Sequence, residues 1–119
     1  MATFNKAKMS GSTDGLGIKV TGTSTGATVT VHTAVAGTTA GVFDEIWLYA
    51  NNTSTSAVKL TVEWGTATAA DGNIELTIAA EAGLVLVVPG LILQNAKVVK
   101  AFAATADVIL LSGFVNAIS

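Results

Sequence analysis

The chain has 119 residues, no cysteine, six lysines without one arginine, and a formal net charge of −2. One domain fits that length; the missing thiols exclude disulfides, thiolate metal sites and cysteine nucleophiles, and the scattered lysines exclude the basic patch that nucleic acid requires. Hydrophobic residues make up 50% and charged residues only 12%, about half the charge of an ordinary soluble domain, so apolar surface is left over for a membrane or for other protein.

Residues 1–16 read as a flexible N-terminal arm, and 17–119 as a single β-sandwich domain. Ser10-Gly11-Ser12-Thr13-Asp14-Gly15 has little to bury. Such a segment is either a disordered tail or a strap that orders on a neighbouring subunit. No later window shows sustained apolar spacing at i, i+3, i+4 and i+7 with caps, so helices are not expected. Threonine and valine, which favour strands, abound instead.

Gly17 to Thr21 is the first expected strand, with Ile18 and Val20 on one face. Ala27 to Ala34 is the second, alternating Val29 and Val31 with Thr28, Thr30 and His32. Phe43 to Asn51 is apolar on both faces: Ile46, Leu48 and Ala50 on one, Trp47 and Tyr49 with Glu45 on the other. That suits a central strand between two packed layers. Asn51 to Ser56 reads as a loop. Ala57 to Gly65 sends Val58, Leu60, Val62 and Trp64 one way and Lys59, Thr61 and Glu63 the other, which is the period of a half-buried strand. Asp71-Gly72 then turns the chain into Asn73 to Ala79, an antiparallel partner with one wet face. Leu84 to Val88 is a continuous apolar run, expected to be buried on both sides, that Pro89 ends, since proline belongs at a strand end or sheet edge. Lys97 to Ala103 and Asp107 to Ile118 complete about eight short, mainly antiparallel strands, the pattern of an all-β sandwich of jelly-roll type.

A membrane helix needs about 20 apolar residues. The longest apolar stretch, Leu84 to Leu93, is broken by Pro89-Gly90. A transmembrane barrel needs at least eight longer strands or several chains. Met1 to Ser12 is polar, without the apolar core of a secretion signal. These features predict a soluble protein made in the cytoplasm, with no membrane partner, that hides its apolar excess between copies of itself. Aromatic and apolar residues on the doubly apolar strands are the interface candidates: Trp47, Tyr49, Pro89, Leu91 and Phe114.

Catalytic chemistry finds little support. His32 is the one histidine and falls on a polar strand face, where a surface or interface role is expected. No G-x-S-x-G elbow occurs. Asp44 and Glu45 are strand neighbours and point to opposite faces, while Glu63 and Glu75 sit on outward faces near Lys59, so no carboxylate pair converges. Asp14 and Asp71 precede glycines without the spaced ligands of a calcium loop. No catalytic, cofactor-binding or metal residue is therefore assigned, and no cofactor is expected. Asn51-Asn52-Thr53 and Asn52-Thr53-Ser54 match the glycosylation pattern and mark an exposed loop. Trp47, Tyr49 and Trp64 would also suit a sugar-stacking platform, against which stands the core face that Trp64 shares with Val58, Leu60 and Val62.

The stretches Phe43 to Ala50, Ala57 to Gly65 and Val87 to Asn95, with the opening Met1-Ala2-Thr3-Phe4-Asn5-Lys6, resemble small structural proteins of tailed-bacteriophage virions. The resemblance implies a non-enzymatic capsid decoration (cement) protein on the virion surface. Such a protein is a trimer or dimer, bridging subunits of the major capsid protein. The alternatives are a tail, neck or fibre component of the virion, or a carbohydrate-binding, adhesive β-sandwich module.

Overall fold

Alternation of apolar and polar side chains every second residue can bury only one face of a sheet, so such strands need a second sheet to cover them. The computed structural model, which describes residues 2–119, meets that need with strands alone. They are β1 Phe4–Ala7, β2 Ile18–Lys19, β3 Val29–Thr33, β4 Phe43–Asn52, β5 Val58–Trp64, β6 Asn73–Ile78, β7 Val85–Leu93, β8 Val98–Ala103 and β9 Ile109–Ile118.

The larger sheet runs β1-β9-β4-β7, with β2 pairing the same side of β9 further along; the smaller runs β3-β8-β5-β6. All pairings are antiparallel. Strand β2 pairs with β9, β3 with β8, β4 with β7 and β5 with β6. This is one long hairpin, nested four deep and wrapped across two sheets. Such an ordering is a jelly roll, the architecture expected from the strand pattern.

Inward positions fill the space between the sheets. Ile46, Leu48 and Ala50 of β4 and Leu111 of β9 have no exposed surface, and neither have Leu60 and Val62 of β5 or Val99 and Ala101 of β8. Burying a Leu, Ile or Val side chain contributes about 1.5–3 kcal/mol, so this layer is the main source of stability. The accessible surface, 6095 Å², is close to the roughly 6,000 Å² expected of a folded monomer of this mass.

Several segments differ from the sequence reading. The stretch read as an arm holds β1, which pairs Phe4–Ala7 with Ile118–Val115 of β9. Behind it Met9, 1% exposed, plugs the core. Its polar sequence gave no hint because the strand is fixed by main-chain pairing to a distant partner. The first strand of the domain is reduced to Ile18–Lys19, though Val20 still bonds Ile109 and Asp107 through its main chain, at 2.9 and 3.0 Å.

Pro89 does not end its strand. β7 continues to Leu93 along the sheet edge, and two register shifts against β4 absorb Val87 and Gly90 as extra residues. Bulges and an edge proline are ordinary ways to blunt an open edge. Strand β4 likewise runs on to Asn52, which was expected in the Asn51 to Ser56 loop and is instead fully buried in the strand. Asn52 Nδ2 donates to the Ser56 and Ile78 carbonyls at 2.8 and 3.0 Å, and its Oδ1 accepts from Ser54.

Candidate interaction surface

The outward positions of β4 are Phe43, Glu45, Trp47 and Tyr49. Opposite them on β9 stand Ile118, Asn116, Phe114 and Ser112. On β7, Ile92 pairs with Glu45, Pro89 with Trp47 and Leu86 with Tyr49. Phe4 joins this face beside Ile118 on the far strand. The outside of the larger sheet is thus largely apolar, crossed by one polar row of Lys6, Asn116 and Glu45.

A row of contacts crosses the face. Lys6 Nζ lies 4.3 Å from the centroid of the Phe114 ring, a cation–π distance. Phe114 stacks on Trp47 with centroids 6.2 Å apart and planes 14° from parallel. On the other side of the indole is Gly90, where an added Cβ would lie 2.8 Å from Trp47 Cζ2. Trp47 Nε1 donates to Glu45 Oε1 at 2.8 Å. Lys6 and Glu45 therefore both engage aromatic neighbours within the face. The half-buried indole thus lies between Phe114 and Gly90.

The five candidates from sequence all fall in this sheet. Trp47, Tyr49 and Phe114 stand on its outer face. Pro89 is exposed on the edge strand opposite Trp47, and Leu91, paired with Ile46, is 43% exposed at the same edge. Sequence reasoning missed Leu86 and Ile92, exposed by 43% and 54%. Their signal was present as apolar residues in a strand too hydrophobic for one buried face.

The outside of the smaller sheet has the opposite character. Lys59 Nζ meets Glu75 Oε1 at 2.9 Å, and the hydrogen bond and charge of that ammonium lower the Glu75 pKa. Glu63 is a correction to the expected wet face: it is 3% exposed, covered by Thr25, whose hydroxyl donates to Glu63 Oε2 at 2.5 Å.

His32 is also corrected, from a polar strand face to the interior. The register of β3 against β8 slips between Thr30 and His32. That bulge turns His32 inward beside Val31, leaving it 6% exposed. Its Nε2 lies 2.7 Å from Asp44 Oδ2, and its Nδ1 accepts the main-chain N–H of Ser10 at 2.9 Å. Ser10, His32 and Asp44 are the residue types of a hydrolytic triad, but their arrangement differs from one. The ring lone pair that would take a hydroxyl proton is held by a main-chain amide, and Ser10 Oγ accepts from Thr33 N at 2.7 Å. Asp44 points inward and Glu45 outward, as the strand alternation predicts.

Two shallow depressions remain. One of about 360 Å³ lies at the end of β7 among Thr38, Phe43, Ile92 and Gln94. The other, about 260 Å³, lies on the smaller sheet among Glu63, Thr66, Lys97 and Lys100. Among the described residues no three His, Asp or Glu side chains gather closely enough to hold a metal ion, and no helix is long and apolar enough to cross a membrane. No family model matches the chain, and no curated protein or solved structure matches it.

Proposed function

We propose that this protein is a non-enzymatic assembly subunit, a capsid decoration protein that stabilises a phage head by bridging subunits of the major capsid protein. The observation that carries the assembly role is the apolar outer face of the larger sheet, set against a charged outer face on the smaller one. An exposed apolar patch of that extent marks a surface that other protein covers. The virion setting rests on the resemblance of Phe43 to Ala50, Ala57 to Gly65 and Val87 to Asn95 to small virion proteins. Few charged groups on the face keep the desolvation cost of docking low. The stacked Phe114 and Trp47 supply the kind of aromatic anchor on which interface energies concentrate.

The test is particle stability. Heads assembled with the protein should release their DNA at a higher temperature than heads lacking it. Equal heat resistance with and without the protein would refute the cement role. Binding at a dozen copies or fewer per particle would move the protein to the neck, tail or fibre.

A further inference from the structure

We infer that the outer face of the larger sheet is covered by the same face of a second copy of this chain, forming an isologous pair. The inference rests on the assembly reading and names the partner of that surface.

The first observation is where the apolar surface lies. The large hydrophobic residues that stand exposed are Phe4, Leu16, Leu84, Leu86, Leu91 and Ile92. All belong to the strands of the larger sheet or to the residues leading into them; Phe4, Leu86 and Ile92 stand on its outer face, whereas Leu91 pairs with the inward-pointing Ile46 at the edge. The smaller sheet contributes none among the described residues, and its outside carries Lys59, Glu75, Thr77 and Lys100. A head-to-tail contact between copies would press the apolar face onto those ions and strip their water without replacing it, which is costly. Only the same face offers an apolar match, and a surface that matches itself pairs about a twofold axis.

The second is charge. Glu45 already accepts from Trp47, and Lys6 already lies over Phe114. Lys19, exposed on the short β2 at the margin, is the one further charge on the outward strand positions, so the centre of the face brings no unpaired charge to a second copy.

The third is area. The face is four strands wide, and β4 at its centre is ten residues long. Strand β1 is only four residues long and β9, β4 and β7 are ten, ten and nine, so at about 4.8 Å between strands and about 3.3 Å per residue each copy offers about 500 Å². A pair then buries about 1,000 Å², the least that a specific interface clears. Sheets packed in this way lie about 10 Å apart with strands about 30° askew. The pair would be four sheets deep, with the two aromatic rows at its centre.

Sedimentation equilibrium of the full chain from 1 to 100 μM tests the pairing. Wild type should be a dimer at 10 μM. Leu86→Glu and Ile92→Glu, both at exposed positions, should weaken association at least tenfold with the melting temperature little changed. Thr77→Glu, on the smaller sheet, should leave the dimer intact. Because the chain has no cysteine, Ser112→Cys provides a gentler check: a short bis-maleimide should link it into a covalent dimer and should not link Thr77→Cys. A monomeric wild type at 100 μM would overturn the pairing. So would a dimer unaffected by both glutamates, or equal crosslinking from the two cysteines. A monomer that still raised the heat resistance of heads would refute the pairing and leave the cement role intact. A dimer through this face with no effect on heads would do the reverse.

Discussion

His32 Nε2 donates to Asp44 Oδ2 across 2.7 Å and so ties β3 of the smaller sheet to β4 of the larger one, inside the sandwich. The same Oδ2 accepts from Val35 N at 3.2 Å, and the other ring nitrogen accepts from Ser10 N. One imidazole and one carboxylate thus hold both sheets and the N-terminal segment together. Asp44→Ala strands two donors in a buried place, each costing about 1–3 kcal/mol. We expect a loss of about 2–4 kcal/mol in urea unfolding, and a smaller loss for Asp44→Asn, which keeps an acceptor. In a double-mutant cycle with His32→Ala, the two losses should not add.

Met9 distinguishes a docked N-terminal segment from a free one. Truncating a buried methionine to alanine costs about 2–5 kcal/mol, so Met9→Ala should lower stability by that amount. Phe4→Ala, at a side chain 62% exposed, should cost far less. A mobile arm would make both substitutions neutral, and chemical denaturation separates the two cases.

Gly113 and Gly90 are the points where backbone and side chain crowd most closely around Trp47. Gly113 has φ +151, and a Cβ there would overlap the Trp47 carbonyl oxygen; Gly90 has φ +78 and lies against the indole. Gly113→Ala should prevent folding or lower the melting temperature severely, because the obstacle is main chain in the central β4. Gly90→Ala should cost about 1–3 kcal/mol from strain and overpacking. It should also alter tryptophan emission, since the neighbour that must move is Trp47.

The Glu75 carboxyl is held below its ordinary pKa by Lys59. A depressed carboxylate contributes stability above its unfolded pKa, and that contribution is lost as pH falls through the folded value. Lys59→Met should therefore move the Glu75 midpoint, followed by NMR, upward toward the ordinary carboxylate range. High salt should produce part of the same shift, because the pair is solvent-exposed.

Strands β4, β5, β6, β8 and most of β9 were legible because their side chains alternate and each face has a plain destination. The doubly apolar Phe43 to Asn51 stretch pointed to a central strand, which β4 is, but between two packed layers, whereas the second sheet covers only its inner face. Strand β1 was hidden. Phe-Asn-Lys-Ala carries no pattern, and its pairing with β9 joins residues more than a hundred positions apart. His32 was misread because period-2 counting assumes an unbroken ladder, and the extra residue at Val31 shifts every later side chain by one face. Pro89 was placed at an edge correctly but read as a terminus, since a bulge that carries the strand past it leaves no compositional mark. Beyond the β5–β6 hairpin that Asp71-Gly72 announced, which strands would pair was not legible, because nesting is a property of the whole chain.

Strand β9 lies between β4 and the β1/β2 edge, yet it is reached only after the other eight strands. Until it slots into place, Trp47 has no Phe114 beside it and the greasy exterior exists only in fragments. Closing the larger sheet is therefore tied to the last strand made: until β9 docks, β4 keeps an open edge, the arrangement that leaves unfinished chains prone to clumping.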